Sequence, residues 1–279
     1  MSASEESQRL VTLEKRGKIA IITMNRADKL NAMNQDLYFR LAALLRDVAE
    51  MPDIYITILT GKGRYFSAGA DVTSSRHAPP GEDPRRIFMR NFVSNNLHLT
   101  HAFYTHPKIL ITAMNGPAVG LSAAMIAHSD FIYAAPHSFL LTPFSSLGLV
   151  SEGNASVAFV ERLGISKANE ALIMSKRISA EELLHVNFVN KIIDVGNPKA
   201  ADYSDKFMAE VLKEVDNRLG DHLNSSSMVK TKELIRRPMR AVMDAQGVHE
   251  VFGGMERFLS GVPQEEFRKI ASGEKKHKL

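Results

Sequence analysis

Glu152 is the residue best placed to do chemistry. It is the lone carboxylate of the run Leu147-Gly148-Leu149-Val150-Ser151-Glu152-Gly153-Asn154, and from Phe131 to Val160 the only other acidic, basic or imidazole side chain is His137. An unpaired carboxylate in an apolar setting costs free energy or titrates nearer neutrality, so a chain that keeps one generally uses it, and the use open to it is proton transfer. A competing reading is structural: Ser151-Glu152-Gly153-Asn154 opens a helix through Val157, Val160 and Leu163, where the helix dipole favours an acidic residue in the first turn.

A proton-transferring base needs a partner that stabilises the negative charge it creates. Two glycine-containing segments are suited to this, Phe66-Ser67-Ala68-Gly69-Ala70-Asp71 and Asn115-Gly116-Pro117-Ala118-Val119-Gly120-Leu121-Ser122-Ala123-Ala124. Each reads as a strand-to-helix turn that presents backbone N–H groups at a helix N-terminus, able to hold an oxygen that becomes anionic. Asp71 reads as a helix cap. Gly61 and Gly63 lack the rest of a dinucleotide fingerprint and read as a turn.

The elements that must position these residues follow from hydrophobic patterning. Residues 18–24 and 55–60 are rich in β-branched side chains and read as strands. Between them Leu37, Leu41, Leu44, Leu45 and Val48 recur at helical spacing, giving a βαβ unit with a parallel strand pair. The pattern continues with a helix over 84–104, a strand over 109–114, a short helix over 121–128 and a strand over 131–134. Beyond about residue 200 it turns helical over 201–219, 228–235 and 239–259, with Pro238 as a break. The expected organisation is a polar N-terminal tail over 1–9, an α/β core over 10–200, a helical region over 201–272 and a basic tail over 273–279. Residues 77–84, which hold three prolines, form the clearest loop.

Composition limits the function classes. The 279 residues, 44% of them hydrophobic, can bury a sizeable core, and no apolar run reaches membrane-spanning length. Thirty-five Lys and Arg against 31 Asp and Glu leave a net charge of +4, too dispersed for a nucleic-acid footprint. The sequence contains no cysteine, which excludes disulfides, thiolate chemistry and cysteine-ligated zinc. His98 and His101 lack a metal-site pattern and read as surface or core residues. Lys230, Lys232, Arg236 and Arg237 read as a solvated helix face, or as a surface meeting the phosphates of a ligand held by a neighbouring subunit. The acidic, polar first residues are unlike a secretory signal or a mitochondrial presequence.

The two turns, the Ser-Glu-Gly segment and the run Met24-Asn25-Arg26-Ala27-Asp28-Lys29-Leu30-Asn31-Ala32-Met33 together resemble the enoyl-CoA hydratase/isomerase (crotonase) superfamily over about residues 10–260. The resemblance implies an α/β fold of the crotonase type, a spiral of ββα turns with a C-terminal helical trimerisation region, and an acyl-CoA thioester substrate. Carried over residue by residue, it puts the oxyanion hole on the backbone N–H groups of Ala70 and Leu121. Ala68, Gly69, Ala70, Asp71, Val72 and Leu121 then line the substrate path. The two glutamates of the family's hydratases fall on Ala124 and Phe144, and dienoyl-CoA isomerases carry a carboxylate at the Phe144 position besides the one at Glu152. What remains, one carboxylate facing an oxyanion hole, is similar to the peroxisomal Δ3,Δ2-enoyl-CoA isomerases of yeasts. Asn96 lies in a stretch similar to theirs and is a candidate to orient Glu152 or a water.

The reading that follows is a Δ3,Δ2-enoyl-CoA isomerase, with a dienoyl-CoA isomerase or a non-catalytic acyl-CoA-binding protein of the same fold as alternatives. It needs no metal or redox cofactor, because the thioester is the electron sink. The resemblance also implies a homotrimer or hexamer. The C-terminal His277-Lys278-Leu279 resembles the Ser-Lys-Leu address read by the peroxisomal import receptor, which places the protein in the peroxisomal matrix.

Overall fold

The computed structural model describes residues 3–71, 73 and 78–275. Strands and helices alternate from the N-terminal side onward: α1 (Ala3–Leu10), β1 (Val11–Arg16), β2 (Ile19–Met24), α2 (Gln35–Ala49), β3 (Ile56–Gly61), α3 (Pro84–Phe88) and α4 (Ser94–Tyr104). Then come β4 (Ile109–Met114), β5 (Ala118–Val119), α5 (Leu121–Ile126), β6 (Phe131–Ala134), β7 (Phe139–Leu141), α6 (Ala155–Leu172), β8 (Ile178–Ser179), α7 (Ala180–His185) and β9 (Lys191–Ile192). Four helices follow: α8 (Tyr203–Leu219), α9 (Ser225–Arg236), α10 (Arg240–Leu259) and α11 (Val262–Ala271).

Six strands form one sheet in the order β1-β2-β3-β4-β6-β9, parallel throughout except for the antiparallel β1–β2 pair. Every residue of β3 and β4 is buried, as central parallel strands covered on both faces require. On one face, the apolar stripe of α2 (Leu37, Leu41, Leu44, Leu45, Val48) packs with Ile22, Leu59 and Leu110 or their neighbours. On the other, Tyr203, Phe207, Val211 and Val215 of α8 pack against Ile56, Ile58 and Ile111. A second sheet, β5-β7-β8, begins directly after β4 and turns the chain toward the site.

Some expectations are corrected. Part of the expected polar tail is helical, because α1 rests on α2 and buries Ser7. The helix expected over 84–104 is not uniform: a π-helical turn over Met89–Val93 separates α3 from α4, and such a turn rotates the following side chains by one residue's worth of winding. Pro238 does break the C-terminal helices, in a 3₁₀ turn over Arg237–Met239.

Candidate active site

The parallel bridge Ser67↔Ala118 stitches the two glycine-containing turns side by side, and a second, Met33↔Ala70, ties the first turn to the residue 26–33 loop. Ser67 reinforces them: its hydroxyl lies 2.9 Å from the Ser122 hydroxyl at the start of α5, donates to the Asn31 carbonyl at 2.8 Å and accepts from the Gly69 N–H at 3.1 Å. Asn31 and Asn115 anchor the preceding loop, each donating to the Tyr65 carbonyl, at 2.8 and 3.1 Å. Gly69 sits at φ +83°, where an added Cβ would lie 2.7 Å from the Val119 carbonyl oxygen, so only glycine lets the turns approach this closely.

The consequence is visible in the backbone donors. Gly69, Asp71 and Gly120 spend their N–H groups on Ser67, on the Met33 carbonyl and on the Leu141 carbonyl. Among the described residues, no acceptor is seen for the N–H of Ala70 or of Leu121. Both residues line a cavity of about 440 Å³, together with Ala68, Gly69, Asp71, Asn96, Phe144 and Glu152. Val72 lies outside the described residues. Leu121 is the first residue of α5, so its N–H carries the helix-dipole bias; after Ala70 the chain turns at Thr73, and the helix expected beyond it falls on residues outside the described ones.

The Asp71 side chain is fully engaged in this turn. Its carboxylate accepts from the Thr73 N–H at 3.0 Å and the Thr73 hydroxyl at 2.7 Å, and it pairs with Arg26 at 2.7 Å. Burial opposes ionisation, but these donors outweigh it and hold Asp71 down at about 2. It is an anion committed to bracing the first turn against the residue 26–33 loop.

Glu152 is 6% exposed and lines the cavity from the loop ahead of α6, which starts only at Ala155. The Asn96 side chain, 3% exposed, donates from Nδ2 to Glu152 Oε2 at 3.0 Å. The Thr100 hydroxyl, one helical turn on, donates to Asn96 Oδ1 at 3.3 Å and so sets which end of the amide faces the carboxylate. A side chain at Gly153 would collide with Leu121, Ala124 and Met125, so the Glu152 loop abuts the helix that carries the second free N–H.

Two supports escaped the sequence reading. Burial pushes His128 down to about 4, so it is neutral at pH 7, and its Nε2–H donates to the Gly153 carbonyl at 2.8 Å. Glu250 of α10, 96 residues from Asn154, accepts from the Asn154 N–H at 2.6 Å. Neither has a local sequence signature, because each acts across the fold.

Other candidates resolve differently. Ala124 is buried in the core, while Phe144 forms part of the cavity wall. His98 and His101 flank Arg46, at 3.1 and 3.4 Å; burial and then the guanidinium push both imidazoles below their ordinary range. The cluster on α9 is not a solvated face: Lys232 is buried and pairs with Asp130 at 2.7 Å, and Arg236 pairs with the same carboxylate at 2.9 Å. Lys230 and Arg237 remain exposed, pairing with Glu233.

Comparison with known proteins agrees with this architecture. The profile of the enoyl-CoA hydratase/isomerase family matches residues 14–250. The Delta(3,5)-Delta(2,4)-dienoyl-CoA isomerase of Pyricularia oryzae is 53% identical over 97% of this chain and 99% of its own length. The 3,2-trans-enoyl-CoA isomerase of Saccharomyces cerevisiae is 32% identical over 94% of each chain. A solved enoyl-CoA hydratase/isomerase from Pseudoalteromonas atlantica, 23% identical, superposes with a TM-score of 0.80 over 97% of this chain and 100% of its own, which speaks to the fold alone.

Proposed function

Because the chain belongs to the enoyl-CoA hydratase/isomerase family, and its relatives include enoyl-CoA isomerases matched over their whole length, we propose that it moves double bonds in unsaturated acyl-CoA thioesters, with a 3,5-dienoyl-CoA as its preferred substrate. The observation that carries the chemistry is the buried Glu152 carboxylate, held by Asn96 in the cavity that Ala70 and Leu121 also line. The 53% identity to a dienoyl-CoA isomerase supports the diene as substrate, and it reverses the order in which the sequence motifs alone rank the two isomerisations.

In this reading the Glu152 carboxylate takes a proton from C2. The electron pair moves onto the thioester oxygen, which accepts from the N–H groups of Ala70 and Leu121. The resulting enolate is conjugated with the existing double bonds. Returning the proton at C6 shifts both and gives the 2,4-dienoyl-CoA; protons and electrons balance, and Glu152 ends as a carboxylate. Each oxyanion donor is worth about 3 to 4 kcal/mol of barrier, roughly 100- to 1,000-fold in rate. The thioester is the electron sink, so the reaction calls for no metal or redox group. The apolar Phe144 helps to keep out water that would otherwise add to the product.

One observation favours a second reading, the Δ3,Δ2 isomerisation of a 3-enoyl-CoA. The cavity presents Phe144 where a second carboxylate would assist proton return to distant C6, and a single base serves neighbouring C2 and C4 more readily. The enzyme is also proposed to be a homo-oligomer, supported by exposed apolar side chains on α9 and α10 (Leu234, Ile235, Val242, Val248). Peroxisomal location is supported by the resemblance of His277-Lys278-Leu279 to an import address; these three residues lie outside the described ones.

The test is a comparison of kcat/KM for a 3,5-dienoyl-CoA and a 3-enoyl-CoA of equal chain length. A higher value for the diene supports the proposal. A higher value for the monoene moves the assignment to the second reading, and binding without turnover of either overturns both.

A further inference from the structure

Glu250 is a buried carboxylate outside the cavity, and its partners lie in the loop that presents Glu152 and in the first turn of α6 that follows it. It is 5% exposed, on the inner face of α10. One oxygen accepts from the Asn154 N–H at 2.6 Å. The other accepts from the Ser156 N–H at 2.9 Å, from the Ser156 hydroxyl, and from the Ser151 hydroxyl at 3.3 Å. Gln246, one turn earlier on α10, donates to the same Ser156 hydroxyl at 2.9 Å.

A buried charge is costly unless every lone pair is answered, and here the donors come from both sides of one residue. Ser151 precedes Glu152 directly, and Asn154 and Ser156 follow it. The loop needs such an outside anchor: Asn154, the residue before α6, sits in the left-handed region at φ +59°, and its side chain does not cap the helix. Replacing a local cap with a carboxylate from α10 fixes the loop in position and orientation relative to the C-terminal helices, which also line the cavity through Phe258, Phe267 and Ile270.

We infer that Glu250 is a positioning residue for catalysis: it clamps the Ser151–Ser156 segment, the loop and the first residues of α6, so that the Glu152 carboxylate points at the substrate carbons. The inference rests on the reading of Glu152 as the proton-transferring base. Its mechanism is geometric, since displacement of a reacting group by about 1 Å can cost on the order of 100-fold in rate.

Glu250→Gln keeps the shape of the side chain but turns an amide N–H₂ toward one set of N–H donors. The experiment measures kcat, KM and product affinity for this variant, and for Ser151→Ala, which removes a single clamp contact and leaves the buried charge with its other donors. Expected are a roughly 10- to 100-fold fall in kcat for Glu250→Gln, a smaller fall for Ser151→Ala, and 2-enoyl-CoA or 2,4-dienoyl-CoA affinity within about twofold of wild type. Introducing Glu250→Gln into a Glu152→Ala background should add no further loss, because both changes remove the same proton transfer. Unchanged kcat in Glu250→Gln overturns the inference. So does an equal loss in the presence and absence of Glu152, or a loss that appears in KM and affinity rather than kcat. Failure of the underlying reading is distinct: Glu152→Ala alone would then retain wild-type turnover.

Discussion

Asn96 Nδ2 and Glu152 Oε2 are 3.0 Å apart although 56 residues separate them in sequence, and the bond joins α4 to the loop before α6 across the cavity. A hydrogen bond to a charged acceptor contributes about 1.5 to 3 kcal/mol. Asn96→Ala is therefore expected to lower kcat roughly 10- to 100-fold with little change in KM, because it removes a hydrogen bond that orients the base and leaves the oxyanion donors in place. Steady-state kinetics on the preferred substrate check this; a loss confined to KM would place Asn96 on the substrate instead.

Gly69 is tested by a single methyl group. In Gly69→Ala the new Cβ meets the Val119 carbonyl oxygen at 2.7 Å in a backbone conformation, φ +83°, that side chains disfavour. The strain costs about 1 to 3 kcal/mol of stability. Because relief requires the two turns to part, the Ala70 and Leu121 donors separate as well, and kcat should fall roughly 100- to 1,000-fold. Thermal unfolding and kinetics on the same preparation separate the two effects.

His128 gives the fold a dependence on acid. Its folded value is depressed to about 4 from an unfolded 6.5, because burial disfavours the imidazolium. The unfolded chain thus binds a proton that the folded chain refuses, so the stability contribution is complete above pH 6.5 and is lost as the pH falls toward 4. Between pH 7 and pH 5 this amounts to roughly 2 kcal/mol. His128→Gln, which keeps a donor for the Gly153 carbonyl, should show a correspondingly shallower loss of urea-unfolding free energy over that interval. Parallel slopes for variant and wild type would contradict the assignment.

The cavity wall is open to adjustment near Gly254. A Cβ there would lie 2.7 Å from the ring of Phe92, which packs edge-on against Phe258 with centroids 4.9 Å apart and lines the cavity. Gly254→Ala should press the ring into the cavity and lower kcat/KM for long-chain substrates more than for short-chain ones. Profiles across chain length check the direction.

Much of this was legible in the sequence where patterning is strong. The β2-α2-β3 unit, β4 and the C-terminal helices announce themselves through β-branched runs and helical spacing, and the lone carboxylate at Glu152 stands out against its apolar surroundings. Strands β5, β8 and β9 are two residues long, too short for any period to register. The π-helical turn over Met89–Val93 interrupts the helical pattern over only five residues, too few to stand out from it. The pairing of Asp71 with Arg26 has no local signature, because 45 residues separate the two. Glu250 was invisible for the same reason: its six-residue target is met from a helix nearly a hundred residues away, and a glutamate in an amphipathic helix carries no mark of burial.

The central claim is that Glu152 moves the proton. The most direct measurement is the turnover of Glu152→Ala with the preferred unsaturated acyl-CoA, alongside titration of the product onto the same protein. A fall of roughly 100- to 10,000-fold in kcat with product affinity preserved is the predicted result. Turnover within a few fold of wild type would contradict the account and place the base elsewhere in the cavity.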